Sequence, residues 1–180
     1  NYTRFSFGRP EGKALYANNP VELAFLMESF PDPGKRHLYK HTISQWLKEP
    51  DPGLFIEIQK VVEEDFPKDV ESGFTKALYL LDPDRPFIGP DGRRFVYQKD
   101  IADLFIGDKD FFQEYLSNPN APFYLYLESK GYKIQADSFR DVFSKKTPRA
   151  ALHFVILSLL NQAWFQDNDV KLNHPSDILK

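Results

Sequence analysis

The chain has 180 residues, a net charge of −3, no cysteine, and a composition that is 42% hydrophobic and 16% aromatic. These apolar side chains can supply a globular core, and the acidic balance excludes a protein-wide basic field that would attract nucleic acid or an anionic membrane. The lack of cysteine excludes a disulfide framework, a thiolate metal site and a cysteine nucleophile, and no apolar run reaches the length of a membrane span.

A short motif near the N-terminus recurs later in the chain. Phe7–Leu15 aligns with Phe87–Phe95 and, more weakly, with Phe165–Leu172. A segment of apolar and acidic residues follows each copy. Recurrence at a fixed spacing is the sequence signature of tandem structural units, so the chain is predicted to contain internal repeats.

A second alignment extends the repeat, because Leu78–Asp82 resembles Leu157–Asn161. We therefore predict two tandem pseudo-repeats of about 80 residues. They cover residues 1–86 and 87–164, and the start of a third copy is predicted at 165–180. This arrangement leads us to expect a piece of a longer array.

Both strong copies of the motif have the residues of a tight hairpin. Aromatic and β-branched side chains flank a Gly-Pro-Asp-Gly centre in Phe87–Tyr97, and Arg9–Gly12 holds the same place within Phe5–Tyr16. Proline presets φ for a turn and glycine accepts positive φ. Each segment is therefore predicted to form a two-stranded ribbon that must lie on helices, because two strands alone are only marginally stable.

Helix starts are marked by a capping residue followed by proline. Asn19, Asp32, Asp51 and Thr147 all have this arrangement. Helical spacing of apolar residues follows, in sets at Tyr39/Ile43/Trp46/Leu47, Leu54/Ile58/Val61/Val62, Val70/Phe74/Leu78/Leu81, Phe139/Val142/Phe143 and Leu152/Val155/Ile156/Leu159. The predicted fold class is α+β, predominantly α-helical with short β-hairpins. Each repeat holds about four short helices, and the last helix is nearly surrounded by other elements.

The first candidate metal ligands are His37 and His41, which lie four residues apart on a predicted helix. Two imidazoles at this spacing can bind one metal ion, but Lys35, Arg36 and Lys40 would repel a cation. Pairs of aspartates lack the glycine and closing glutamate of a calcium loop, and are interpreted as turns or helix caps. These pairs are Asp82/Asp84, Asp108/Asp110 and Asp167/Asp169. We predict no metal and no cofactor.

Catalytic patterns are also missing from the sequence. The densest acidic group, Glu63–Asp65, falls at a predicted helix end and is interpreted as a solvated terminus. There is no nucleophile-elbow, Walker or dinucleotide glycine pattern. We therefore predict that the protein is not an enzyme and assign no catalytic residue.

Two kinds of residue could contact a macromolecular partner. Basic residues cluster at Arg93–Arg94, at Lys145–Lys146 with Arg149, and at Lys35–Arg36 with Lys40. Such clusters beside exposed aromatic rings can bind single-stranded nucleic acid. Aromatic groups at Phe111–Phe112, Phe123–Tyr126 and Trp164–Phe165 suit either a core or a protein interface.

These patterns lead to one functional hypothesis and one alternative. We expect a non-catalytic scaffold or protein-interaction module, excised from a larger repeat-containing protein, that binds a protein or peptide in the cytoplasm. Repetition multiplies binding surface, whereas catalysis usually needs one asymmetric site. The alternative is a nucleic-acid-binding regulatory module that uses the basic clusters. No membrane partner is expected, and the binding residues are not identified by the sequence.

Overall fold

A computed structural model of the chain describes residues 1–167, with side chains described through Asn161. The chain divides into two compact units, one spanning Asn1–Arg85 and one beginning at Pro86. Each unit contains one antiparallel strand pair followed by helices. The architecture is therefore mostly α-helical with two small strand pairs, as predicted.

The first unit passes from its strand pair through five helices. Its elements are β1 (Phe5–Gly8), β2 (Leu15–Ala17), α1 (Pro20–Ser29), α2 (Pro31–Tyr39), α3 (Thr42–Leu47), α4 (Pro52–Lys60) and α5 (Val70–Leu81). One π-helical turn, Val61–Asp65, continues α4. Helix α5 packs against α1, α2 and α4, and the strand pair contacts α1.

The second unit also passes from a strand pair through five helices within the described residues. Its elements are β3 (Phe87–Ile88), β4 (Arg94–Phe95), α6 (Gln98–Gly107), α7 (Lys109–Ser117), α8 (Pro122–Ser129), α9 (Lys133–Lys145) and α10 (Pro148–Asp167). Helix α10 packs against α6, α7 and α9. Strand β4 contacts α6, and β3 contacts α8.

Both predicted hairpins are confirmed, and their turns share one geometry. The N–H of Gly12 donates to the carbonyl of Arg9 at 3.2 Å, and the N–H of Gly92 donates to that of Gly89 at 2.9 Å. Gly12 has φ +82° and Gly92 has φ +84°. A side chain at either position would strain the backbone, which explains why glycine ends both turns.

Three of the four predicted helix starts are confirmed by capping bonds. The side-chain oxygens of Asn19, Asp51 and Thr147 accept from backbone N–H groups three residues ahead, at 2.9, 3.1 and 3.3 Å. The start predicted at Asp32 is wrong, because α2 begins at Pro31. Pro31 already supplies the fixed φ of a first helical residue, so Asp32 falls inside the first turn.

The apolar set from Tyr39 to Leu47 does not lie on one helix. Helix α2 ends at Tyr39, His41 adopts φ +63°, and α3 begins at Thr42. A residue in the left-handed region ends a helix and redirects the chain. The predicted count of about four helices is too low for both units, each of which has five among the described residues; in the first unit, this break makes two helices from one predicted segment.

Helix α10 is less enclosed than its sequence predicts. Leu152, Val155, Ile156 and Leu159 form the buried stripe, as expected. The opposite side is partly open, because Phe154 is 43% exposed and Leu157 is 46% exposed. The Phe154 ring still contacts Phe139 of α9 edge-on, at a centroid distance of 6.2 Å, so this side of the helix is partly covered among the described residues. The predicted third copy at 165–180 lies outside the residues whose side chains the structure describes.

Aromatic rings dominate the core of the second unit. Phe87, Phe105 and Phe139 surround Phe123, at ring-centroid distances of 5.4, 5.1 and 6.3 Å. The predicted aromatic group Phe123–Tyr126 is therefore core. The buried hydroxyl of Tyr124 donates to a backbone carbonyl, and burial raises its pKa well above the usual value. Among residues 1–167, no helix is both long and apolar enough to cross a membrane.

Close packing of α1 against α2 depends on Gly34. A β-carbon at this position would lie 3.0 Å from the β-carbon of Met27 and 3.1 Å from the ring of Phe74. Met27 is fully buried and Phe74 is 8% exposed, so neither side chain can move into solvent easily. The glycine therefore sets the separation of the two helices in the first unit.

We predict that Gly34→Ala destabilises the first unit by about 1–3 kcal/mol, the usual cost of overpacking a core. Urea unfolding followed by the fluorescence of Trp46, in a Trp164→Phe background, measures this change. Gly53→Ala is the matched control, because its β-carbon would meet its nearest neighbour at 3.8 Å, an ordinary contact. Equal stability of the two variants would contradict this account of the helix contact.

Candidate functional site

The strongest candidate site is a surface cleft in the second unit, between the β3–β4 turn and helices α6 and α7. Its volume is about 1010 Å³. Phe95, Leu104 and Phe112 provide apolar walls, while Phe111 and charged residues also line it. The cleft therefore combines apolar surface with charge, as ligand-binding sites commonly do.

A sharp corner between α6 and α7 forms one end of the cleft. Helix α6 ends at Gly107, and Asp108 begins the next helix by accepting the N–H of Phe111 on its carboxylate at 3.2 Å. This cap fixes the first turn of α7. Phe111 and Phe112 follow directly, so one ring points outward and the other inward.

Phe112 is the buried member of this aromatic pair and belongs to the core. It is 3% exposed, and its ring centroid lies 4.7 Å from that of Phe105 on α6. Phe105 in turn packs edge-on against Phe123 in the core. Because the ring is held on its inner side by the core, the wall of the cleft is rigid.

Phe111 is the open half of the pair. Its side chain is 46% exposed. One edge contacts Phe112 at a centroid distance of 5.0 Å, and the ring is stacked with that of Tyr115 at 6.1 Å. A large ring that is oriented by two aromatic neighbours and still open to solvent is suited to anchor a partner side chain.

The charged rim is partly paired within itself. The guanidinium of Arg93 lies 2.6 Å from the carboxylate of Asp91 and 5.4 Å from the ring centroid of Phe95. The backbone N–H and side chain of Arg93 both donate to Asp91 and lower its pKa. Asp91 therefore remains ionised and is already engaged with a cation.

Two further carboxylates of the rim are unpaired. Asp100 and Asp103 lie three residues apart on α6 and both line the cleft. Within residues 1–161, neither carboxylate makes a hydrogen bond or an ion pair. With Asp91, Asp108, Arg93 and Arg94 the lining carries four carboxylates and two guanidinium groups, so its net formal charge is −2.

The sequence assigns no binding site, but two of its candidate clusters lie in this cleft. Arg93–Arg94 and Phe111–Phe112 were both singled out, and the fold brings them to one cleft. Asp100 and Asp103 were missed as site residues, because isolated helix aspartates resemble ordinary surface charge. Their spacing of three on the side of α6 away from its buried residues was the available signal. The third aromatic group, Trp164–Phe165, lies beyond the described side chains.

The two histidines His37 and His41 are not arranged to bind one metal ion. His37 lies on α2, and its Nε2 is 2.7 Å from the carbonyl oxygen of Phe7. His41 lies after the end of that helix, and its Nδ1 is 3.2 Å from Oε1 of Gln59. Each imidazole therefore has a structural partner of its own, and in the described chain no three His, Asp or Glu side chains are grouped as metal ligands.

The aspartate pairs serve as local caps where the structure describes them. Asp82 accepts the N–H of Asp84 in a turn at 3.2 Å, and Asp108 caps α7. Asp167 and Asp169 lie outside the described side chains. Glu63–Asp65 belongs to the π-helical turn and is exposed, so this acidic group is a solvated terminus as expected.

A second groove of about 760 Å³ lies between α7 and the start of α10. Lys109, Arg149 and His153 line it, together with Asp110. Arg149 comes from the predicted cluster that also holds Lys145, which pairs with Asp141 at 3.0 Å. In the predicted cluster of the first unit, Lys35 pairs with Glu71. One lysine of each of these clusters is therefore paired with an acid, whereas Lys109 and Arg149 have no ion-pair partner among the described side chains.

The first unit has a smaller cleft of about 570 Å³ between α1, α4 and the end of α5. Val21, Leu54 and Leu80 supply apolar surface, and Asp51 and Glu57 supply charge. Asp51 is occupied by capping α4 and by the hydroxyl of Tyr2 at 3.0 Å. This cleft has no exposed ring comparable to Phe111 in its lining.

The chain matches no protein-family model, and neither a characterised protein nor a solved structure shows significant similarity to it. What the clefts bind is therefore inferred from their own shape and charge.

We predict that Phe112→Ala and Phe111→Ala differ sharply in their effects on stability. Loss of the buried Phe112 ring costs about 3–5 kcal/mol. Loss of Phe111 costs about 1 kcal/mol, since roughly half of that ring is in water already. Native-state hydrogen exchange of α6 and α10 amides measures both free energies. A similar loss for the two variants would show that Phe111 is also part of the core.

Proposed function

We propose that the chain is a non-catalytic interaction module and that the cleft of the second unit binds a protein or peptide. The observation that carries this proposal is the exposed Phe111 ring, 46% open to solvent in a cleft that also contains two carboxylates without a partner among the described side chains. Exposed aromatic anchors beside desolvated pockets carry much of the affinity of protein interfaces. A cytoplasmic location stays a prediction.

The shape of the cleft favours a peptide segment over a compact small molecule. It is open along the β3–β4 turn and two helices, and its lining alternates apolar and charged groups. A peptide can place successive side chains in such a lining, with apolar residues against Phe111 and Leu104 and polar ones at the rim. Peptide recognition commonly uses this division between anchors and specificity contacts.

We further propose that the two units are copies of one building block. The parallel order of their elements supports this, because α1 and α6 both have ten residues and α2 and α7 both have nine, each pair 78 residues apart. The first helix of each unit buries an equivalent trio, Leu23/Ala24/Met27 and Ile101/Ala102/Phe105. The shared turn geometry at Gly12 and Gly92 points the same way.

The last helix of each unit supports the same duplication. Phe74, Ala77, Leu78 and Leu81 are buried in α5, and Leu152, Val155, Ile156 and Leu159 are buried at the same spacing in α10. Asp69 and Thr147 cap the two helices. In this register Leu78 corresponds to Ile156, and both are buried. The sequence alignment paired Leu78 with Leu157, which is exposed, so that alignment is shifted by one residue.

If the units are copies, they differ at the contact between their first two helices, which in the second unit are the α6 and α7 that border the cleft. Gly34 in α2 and Phe112 in α7 occupy equivalent positions. Gly34 faces Met27 of α1, and Phe112 faces the equivalent residue of α6, Phe105. Glycine lets two helices approach closely, whereas a phenylalanine ring keeps them apart. The divergence supports a binding role for the second unit in particular.

A displayed random peptide library, selected on the full chain, tests the proposed function. We expect peptides whose affinity, measured by calorimetry, falls about tenfold or more for Phe111→Ala, as for a hot-spot residue. Phe25→Ala is the matched control, because Phe25 is 68% exposed on the first unit and outside the cleft. Binders that ignore Phe111, or no binders, would refute the proposed site.

A second candidate function is binding of single-stranded nucleic acid by the groove between α7 and α10. The observation that favours it is the groove's lining by Lys109 and Arg149, neither of which has an ion-pair partner among the described side chains. The acidic charge of the chain opposes it, since phosphate contacts need a positive surface.

A mobility-shift assay with a single-stranded oligonucleotide tests this second candidate. If the groove binds nucleic acid, a shift at low salt weakens steeply as salt is raised and disappears in Lys109→Glu/Arg149→Glu. The double variant Lys13→Glu/Lys48→Glu serves as a charge-matched control, because both lysines are exposed on the first unit and lie outside the predicted basic clusters. Absence of a shift at low salt removes this function.

A further inference from the structure

We infer that the cleft of the second unit recognises a basic side chain next to an apolar one, a lysine or arginine flanked by a residue such as leucine or phenylalanine. This inference rests on the proposed peptide-binding function and names the chemistry of the partner. Asp100 and Asp103 would accept the cation, and Phe111 with Leu104 would receive the neighbouring apolar side chain.

The two carboxylates are available because nothing in the described chain uses them. Asp91 holds Arg93, and Asp108 caps α7, so both are committed to local structure. Asp100 and Asp103 have no such role. In the first unit the equivalent of Asp100 is Glu22, whose carboxylate accepts the backbone N–H of Asn18 at 2.7 Å. The carboxylate of Asp100 is left without that function.

The position of Asp103 also indicates a role in binding rather than in the fold. Its equivalent in the first unit is Phe25, an exposed ring, so the fold does not require an acid at this place. Asp100 and Asp103 lie one turn apart on α6, close enough to share one guanidinium or ammonium group. A cation between them would be stabilised more strongly than at an isolated surface carboxylate.

Charge complementarity selects among partners. The lining has a net formal charge of −2, which repels phosphate backbones and acidic peptides and attracts basic segments. The apolar surface beside the acids favours a peptide over a free metal ion, because a hydrated metal ion makes no apolar contact with Phe111. A basic residue with an apolar neighbour uses both features at once.

The same library selection on the full chain tests this partner chemistry, with the double variant Asp100→Asn/Asp103→Asn added. We expect selected peptides to be enriched in Lys or Arg adjacent to an apolar residue. Their affinity falls about tenfold to a hundredfold in the double variant and declines with added salt. Glu63→Gln/Glu64→Gln removes the same charge from an exposed site on the first unit, and leaves binding unchanged.

The outcomes separate this inference from the proposed function. Peptides that depend on Phe111 but lack basic residues, and that bind the double variant as well as the wild type, overturn the inference and keep the peptide-binding function. Peptides that do not depend on Phe111 overturn both. If the aspartate and glutamate double variants lose equal affinity, the effect comes from the overall charge of the protein, and the assignment of Asp100 and Asp103 is overturned.

Discussion

The packing of the first two helices of each unit against one another is the contact on which both the fold and the site depend. In the first unit, Gly34 lets α2 lie directly on Met27 of α1, with no room for a β-carbon. In the second unit, the ring of Phe112 occupies the space between α7 and Phe105 of α6. If the two units are copies, as proposed, the change between Gly34 and Phe112 accompanies a closely packed helix pair in the first unit and a wall of the cleft in the second.

This contact explains how a surface site can be rigid without being buried. Phe112 is fixed by the aromatic core through Phe105 and Phe123, and Asp108 fixes the turn from which Phe111 projects. A partner that binds such a preorganised surface loses little free energy to ordering of the protein. In the proposed complex, the neighbouring carboxylates would provide the selectivity that an apolar surface alone lacks.

The sequence was informative where the chemistry of one residue decides local structure. Pro and capping residues marked the starts of α1, α4 and α10, and glycine marked both hairpin turns. It failed where tertiary contacts decide, as at His41, whose left-handed backbone splits a continuous apolar pattern into two helices. The partial exposure of α10 was also not predicted, because hydrophobicity around the whole helix predicts burial, whereas Phe154 and Leu157 are each nearly half exposed.

The candidate site was only half predictable for the same reason. Aromatic and basic clusters are visible in sequence, so Arg93–Arg94 and Phe111–Phe112 were recognised as candidates. Asp100 and Asp103 gain significance only because the fold places them in the same cleft as Phe111, with no basic partner among the described side chains. Pairing between distant segments is a property of the folded chain, and periodicity does not encode it.

Amide hydrogen exchange of the full chain, with and without a library-selected peptide, tests the central claim most directly. If the cleft of the second unit is the binding surface, exchange slows in the β3–β4 turn, along the outer side of α6 and in the first turn of α7, while α1 and α2 are unchanged. Protection confined to the first unit, or to the groove between α7 and α10, would contradict the account.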